Sequence, residues 1–142
     1  MIDRELVTRK LMLILQDLSA LTGLARKSQA EYLSDPIHQV LAERYLERTI
    51  GRMIDVNYHL ITESGHAPPK DYYESFVSLG TLKILPIEFA RALASAAGLR
   101  NRIVHEYDEI DAVKLHEALQ AAIEQMPIYI DAVRQSLPPS GS

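Results

Sequence analysis

The sequence predicts an all-α protein folded as an antiparallel up-and-down helical bundle. Apolar residues recur at helical spacing along almost the whole chain, and the alternation typical of half-buried strands is absent. With 142 residues, of which 47% are hydrophobic, the chain is long enough for one domain with its own core. Three long helices and two or three short ones, joined by short loops, favour such a bundle.

The first half of the chain contains two of the long helices. The first is expected over residues 3–24, and residues 26–34 form a connector with at most a short turn. The second has the clearest start, because Asp35 suits the N-cap and Pro36 suits the first helical position, where its missing N–H costs nothing. We expect this helix to end at Gly65 in the left-handed conformation.

Shorter elements follow a break at residues 66–70. One short helix is expected over 71–79, stopped by Gly80, and another over 86–97, stopped near Gly98. The motif described below then occupies a further turn or two.

Asp111 is expected to cap the last long helix, over residues 112–136. Residues 137–142, rich in proline, serine and glycine, are expected to form a flexible tail. The predicted domain therefore spans residues 1–136.

The composition narrows the classes of function. The chain has no cysteine, which excludes disulfides, thiolate zinc sites and a cysteine nucleophile, and fits a cytoplasmic protein. It shows neither a membrane-spanning apolar run nor a signal peptide's apolar stretch. Its net charge of -4 argues against a general polyanion binder, so any contact with nucleic acid must be local.

The most informative segment is residues 100–107, which combine arginine, asparagine, histidine and tyrosine. Arginine offers a fixed fork of donors that matches phosphate oxygens, and histidine transfers protons near neutral pH. The segment therefore suits phosphodiester chemistry. A structural reading is also open, in which His105 caps the helix, Tyr107 packs, and the basic residues compensate the helix dipole.

Helical geometry limits how this segment can act. Asn101 and His105 share a face, whereas Arg100 and His105 lie roughly 140° apart on a straight helix. Arg100 and His105 therefore cannot converge from mid-helix. They converge only if the helix ends near His105, or if each faces a groove shared with a second molecule.

A polar stripe runs along the second long helix within an arc of about 80°. Its residues, which we take as candidate groove and RNA contacts, are Arg44, Arg48, Arg52, Asp55 and His59. Arginines four residues apart repel each other, so the stripe is expected to face an acidic partner, a nucleic acid or water. Asp55 and His59 have the spacing of two metal ligands, but no second pair supports them. We therefore expect no metal and no cofactor.

The run Arg100-x4-His105-x-Tyr107, with Asn101 and Val104 inside it, resembles the HEPN superfamily and specifically its HepT toxin branch. Further matches are Glu43-Arg44, Phe76, Leu79-Gly80, Gly98-Leu99 and the acidic segment 108–111. The resemblance covers roughly residues 3–135 and includes the order of the helices.

This resemblance implies a homodimer about a two-fold axis, with the two motifs facing each other. It also implies a metal-independent endoribonuclease in which Arg100 and His105 are catalytic, with Asn101, Arg102 and Tyr107 in support. The partner it implies is a nucleotidyltransferase antitoxin of the MntA type, which adenylylates Tyr107. The alternatives are a non-catalytic helical module that binds nucleotide or the nucleotidyltransferase, and, more remotely, a metal-binding bundle.

Overall fold

The structure, a computed structural model, describes residues 1–105 and 110–139 of the chain. Within these ranges the chain forms helices and no strand. The helices are α1 (Arg4–Ala25), α2 (Gln29–Leu33), α3 (Ile37–Glu63), α4 (Tyr72–Thr81), α5 (Ile87–His105) and α6 (Ala112–Ser136). The predicted all-α class is confirmed.

Helix α1 packs on α3 and α6, and α3 also packs on α4 and α5. Ion pairs give the direction of α1 relative to α3. Lys10 of α1 pairs with Asp55 near the end of α3, whereas Asp17, farther along α1, pairs with Arg48, nearer the start of α3. The two helices therefore run antiparallel, as an up-and-down bundle requires.

Helix α6 also runs antiparallel to α1. In its first turns His116 donates from Nε2 to the carbonyl of Lys27, just beyond the end of α1. After its last turn the carbonyl of Pro138 accepts from Arg4, at 2.6 Å, and Leu137 is buried. The flexible tail stays a prediction, since these contacts concern only its first residues.

The core is one apolar cluster to which all six helices contribute. Its largest fully buried side chains include Tyr32 of α2, Phe76 of α4 and Tyr129 of α6. None of the helices in the described ranges is long and apolar enough to cross a membrane.

The predicted helix ends hold at most positions. Asp3 and Asp111 cap α1 and α6 with their carboxylates, as aspartate does at an N-cap. Helix α3 begins at Ile37, one residue later than predicted, with Pro36 as its N-cap in place of Asp35. The Asp35 carboxylate still accepts from the amide of Ile37, at 3.0 Å. Gly65 has a φ of 88°, so the left-handed end of α3 is confirmed.

Gly80 does not stop α4, contrary to the prediction. It lies inside the helix, where an added Cβ would approach Ala90 Cβ to 3.0 Å and Ile87 Cα to 3.2 Å. The glycine therefore lets the backbones of α4 and α5 pack closely. The chain turns two residues after the helix end, at Lys83, whose φ is 64°.

Gly98 does not interrupt α5 either, and the predicted stop there is wrong. The helix continues to His105 because it is held on both sides of the glycine, by buried Ala94 and Ala97 before it and by Ile103 after it. A glycine inside a helix costs about 1 kcal/mol relative to alanine, less than this burial contributes. Residues 100–105 of the motif therefore lie on the same unbroken helix as the segment before Gly98.

Two glycine-to-alanine substitutions test the close packing of α4 on α5. We expect Gly80→Ala to lower the free energy of unfolding by about 1–3 kcal/mol, because its methyl group overpacks the contact with Ala90. Gly23→Ala, inside α1 with open space around the added Cβ, should raise it by up to about 1 kcal/mol. Urea denaturation followed by circular dichroism measures both, and equal effects would contradict the close approach.

Candidate functional site

The end of α5 presents most of the motif to solvent. Asn101, Arg102 and His105 are exposed, whereas Arg100 is half-buried against α4. Tyr107 lies outside the described residues, so its predicted roles in support and as the adenylylation site stay predictions. Arg100 and His105, at this end of α5, line two different cavities.

The first cavity, which we call the arginine cavity, has a volume of about 370 Å³. It brings Arg100 of α5 together with Arg48 and Arg52 of α3, and Lys10 of α1 lies at its edge. Tyr72, the first residue of α4, forms one wall. Part of the stripe on α3 thus lies beside the motif arginine.

The second cavity, which we call the histidine cavity, has a volume of about 580 Å³ and lies on the other side of Tyr72. His105 and Asn101 line it together, so the predicted shared face of these two residues is confirmed. Arg102 and Lys70 add two cationic groups that can attract a phosphate.

The unbroken helix keeps Arg100 and His105 apart. Arg100 lines only the arginine cavity and His105 only the histidine cavity, with Tyr72 lining both. Five residues along an α-helix turn the side-chain direction by roughly 140°. In the described part of the chain, which reaches His105 on this helix, the two groups line different cavities, so convergence within one chain is not seen.

Arg100 is held by the ring of Tyr72. Its guanidinium carbon lies 5.3 Å from the centre of that ring, a cation–π contact. Its Nε is buried and has no hydrogen-bond acceptor among the described residues. Buried donors are nearly always paired, so this arginine keeps unused hydrogen-bonding capacity.

Two arginines of the stripe have an acidic partner inside the chain. Arg48 donates to Asp17 from Nε and Nη2, at 3.2 and 2.7 Å, and Arg52 donates to it at 2.8 Å. Asp17 is buried. Sequence reasoning missed this carboxylate, although its place on the apolar face of α1, one turn from Ile14 and Leu21, was an available signal.

Of the other stripe residues, Asp55 also lines the arginine cavity, whereas Arg44 and His59 line neither of the two cavities. Arg44 is exposed and pairs with Glu47 at 3.7 Å. The Nε2 of His59 accepts from the amide of Asp3, and Asp55 pairs with Lys10. Among residues 1–105 and 110–139 no three histidines or carboxylates stand close enough to hold a metal ion.

Tyr72, which the sequence did not single out, is anchored by a buried hydrogen-bond chain. The hydroxyl of Tyr129 donates to Asn57 Oδ1 at 2.7 Å, and the Asn57 amide donates to Ser75 Oγ at 3.2 Å. Ser75 in turn donates to the carbonyl of Tyr72 at 2.7 Å. This chain links α6, α3 and α4, and it fixes the wall between the two cavities.

Comparisons with known proteins agree on one family. Residues 14–133 match the profile of the family described as ribonuclease HepT-like. A curated relative, the tRNA nuclease HepT of Aphanizomenon flos-aquae (strain 2012/KM1/D3), is 33% identical over 136 residues, which cover 96% of this chain and 92% of the relative.

Solved structures share the fold. The tri-AMPylated HEPN toxin of Shewanella oneidensis, solved in complex with its MNT antitoxin, superposes with a TM-score of 0.83 at 20% identity, covering 92% of this chain and 98% of that one. The cytosolic protein YutE of Bacillus subtilis, of unknown function, superposes with a TM-score of 0.83 at 18% identity, covering 98% of this chain and 96% of that one.

Two buried tyrosines provide a test of the hydrogen-bond chain. Tyr129→Phe should lower the free energy of unfolding by about 1–3 kcal/mol, because it leaves the Asn57 oxygen buried without a donor. The hydroxyl of Tyr32 is also buried but has no hydrogen-bond partner among residues 1–105 and 110–139, so Tyr32→Phe should leave the free energy of unfolding unchanged or raised. Urea denaturation at pH 7 measures both. A destabilised Tyr32→Phe beside an unaffected Tyr129→Phe would contradict this assignment.

Alkaline pH adds a second measurement on Tyr32. Burial, with a smaller contribution from Glu43, raises the pKa of Tyr32 from 10.0 to about 12. A raised pKa in the folded state contributes stability below pH 10 that is lost as the pH rises towards 12. Between pH 10 and about pH 12, the free energy of unfolding should therefore fall less for Tyr32→Phe than for the unsubstituted protein.

Proposed function

Because the chain belongs to the HepT-like ribonuclease family, we propose that it is a cytoplasmic endoribonuclease toxin that cleaves RNA without a metal ion. The curated relative from Aphanizomenon flos-aquae is named a tRNA nuclease, which makes tRNA the proposed substrate. The histidine cavity supports this chemistry, because the exposed imidazole of His105 lines it together with Asn101 and the cationic side chains of Arg102 and Lys70.

Metal-free cleavage starts with attack of the ribose 2′-OH on the neighbouring phosphorus. The P–O5′ bond breaks, which leaves a 2′,3′-cyclic phosphate and a 5′-OH. The reaction requires one group that accepts the 2′-OH proton, another that protonates the leaving oxygen, and positive charge beside the phosphorane. Histidine supplies the proton transfers, and arginine supplies the charge.

The observation that carries the proposal is the separation of Arg100 and His105 on one unbroken helix. The motif of one chain contains a single imidazole, and this imidazole shares neither of the two cavities with the motif arginine. In a two-fold dimer with facing motifs, the second chain brings another His105 and another Arg100 to the same phosphate. One imidazole then accepts a proton while the other donates one.

The proposed partner is a nucleotidyltransferase antitoxin of the MntA type. A structural neighbour, the Shewanella oneidensis HEPN toxin, is AMPylated and in complex with an MNT antitoxin. In this chain we assign the modification to the Tyr107 hydroxyl. Attached AMP adds a negative charge and a nucleoside beside the motif, which would repel and displace an RNA phosphate.

An assay with tRNA in excess chelator separates this function from its alternatives. Cleavage to products with 2′,3′-cyclic phosphate ends is the expected result. No cleavage, with retained binding of the nucleotidyltransferase, would favour the non-catalytic module. Cleavage that requires an added divalent metal would contradict the mechanism.

We expect His105→Ala to lower the rate of tRNA cleavage by at least about 10²- to 10⁴-fold, the range for loss of a general acid–base group. The matched control is His66→Ala, which removes an exposed imidazole from the loop after α3, outside both cavities. Circular dichroism should show that both variants are folded. Normal cleavage by folded His105→Ala would refute the catalytic assignment.

Tyr107→Phe should keep its ribonuclease activity and escape neutralisation, because the ring remains and only the acceptor hydroxyl is lost. Intact-mass spectrometry after co-expression with the nucleotidyltransferase should show added AMP on the unsubstituted protein. Tyr73→Phe, which removes an exposed hydroxyl from α4, serves as the control and should still be modified. A neutralised complex with unmodified Tyr107 would instead favour inhibition by occlusion.

A further inference from the structure

The arginine cavity carries more positive charge than its neighbouring acids neutralise. Arg48 and Arg52 share the single carboxylate of Asp17, and Arg100 rests on Tyr72, an uncharged ring. Two further carboxylates line the cavity, but Glu47 pairs with Arg44 and Asp55 pairs with Lys10. Among the described residues, this leaves the three guanidiniums with the carboxylate of Asp17. The other cation at the edge, Lys10, has its own partner.

The hydrogen-bonding capacity of these arginines is also largely unused. A guanidinium has five N–H donors. Arg48 directs two of them to Asp17, and Arg52 directs one. All three arginines line the arginine cavity, whose volume of about 370 Å³ has room for a tetrahedral oxyanion.

Asp17 explains how two like charges stay together on one helix. Arg48 and Arg52 are four residues apart on α3, a spacing at which like charges repel. The buried carboxylate bridges them from α1 and holds both guanidiniums in fixed positions. Fixed guanidiniums bind an oxyanion at a lower entropic cost than free surface arginines.

We propose that the arginine cavity binds a backbone phosphate of an RNA strand through Arg48, Arg52 and Arg100, with Asp17 as the positioning residue. This inference rests on the proposed ribonuclease function, because it takes the bound strand to be the substrate. The site lies across Tyr72 from His105, so it holds the strand beside the histidine cavity. It also gives a chain of net charge -4 a local site for nucleic acid.

Binding measurements with an uncleavable strand test the site independently of catalysis. The probes are a single-stranded 2′-O-methyl RNA, followed by fluorescence anisotropy at several salt concentrations, and inorganic phosphate, followed by calorimetry. The test variant is Arg52→Gln, in which Asp17 keeps its two hydrogen bonds from Arg48. The control is Arg91→Gln, which removes an exposed arginine of α5 outside the cavity.

We expect Arg52→Gln to weaken binding of the 2′-O-methyl strand about tenfold, the loss of one charged hydrogen-bonding contact. The slope of log K against log salt should also fall by about 0.7, while Arg91→Gln changes neither. Equal effects of the two substitutions would overturn the site. Lost phosphate binding with unchanged strand binding would overturn the RNA assignment and identify free phosphate as the ligand.

Asp17→Asn tests positioning by the sign of its effect. The substitution adds one net positive charge, so charge alone predicts tighter strand binding, whereas loss of the bridge predicts weaker binding. We expect weaker binding, and tighter binding would overturn the positioning role. Asp17→Glu, which keeps the charge and moves the carboxylate, should also weaken binding and serves if Asp17→Asn does not fold. Cleavage is scored separately, so strand binding without cleavage would contradict the proposed function and leave the phosphate site standing.

Discussion

The constraint on which the proposed site depends is the continuity of α5. This helix continues past Gly98 without a break, so helical geometry fixes the directions in which the side chains of Arg100 and His105 leave it. Arg100 and His105 consequently belong to different cavities. A chain built in this way offers the parts of a phosphodiester-cleaving site without assembling them, which makes a second chain a requirement of the proposed chemistry.

The walls around the motif are fixed by buried polar groups. Asp17 holds two arginines of α3 against α1, and the hydrogen-bond chain from Tyr129 anchors the carbonyl of Tyr72. Both devices are satisfied internally, as buried polar groups must be. Neither of them uses the guanidinium of Arg100 or the imidazole of His105, so both groups stay available for the proposed reaction.

The sequence alone predicted the parts of the fold that have local causes. Caps such as Asp111 and the left-handed Gly65 set helix ends through contacts within a few residues. The stops predicted at Gly80 and Gly98 failed because tertiary packing outweighs a glycine's local cost of about 1 kcal/mol. Within the candidate site, the separation of Arg100 and His105 by roughly 140° followed from their spacing of five residues on a helix. For Asp17, the apolar face of α1 on which it lies indicated burial, but its pairing with Arg48 and Arg52 could not be predicted, since that depends on which face α1 turns to α3.

The central claim, that one site draws residues from two chains, is tested most directly by mixing two inactive variants. Arg100→Ala and His105→Ala are each expected to be inactive in excess chelator. Heterodimers of the two, verified by native mass spectrometry, retain Arg100 on one chain and His105 on the other. The shared site of a heterodimer keeps one guanidinium and one of its two imidazoles. We therefore expect the mixture to cleave tRNA faster than either variant alone, but well below the unsubstituted dimer, in which the second imidazole completes the proton transfers. A mixture that contains heterodimers and stays as inactive as either variant alone would contradict it.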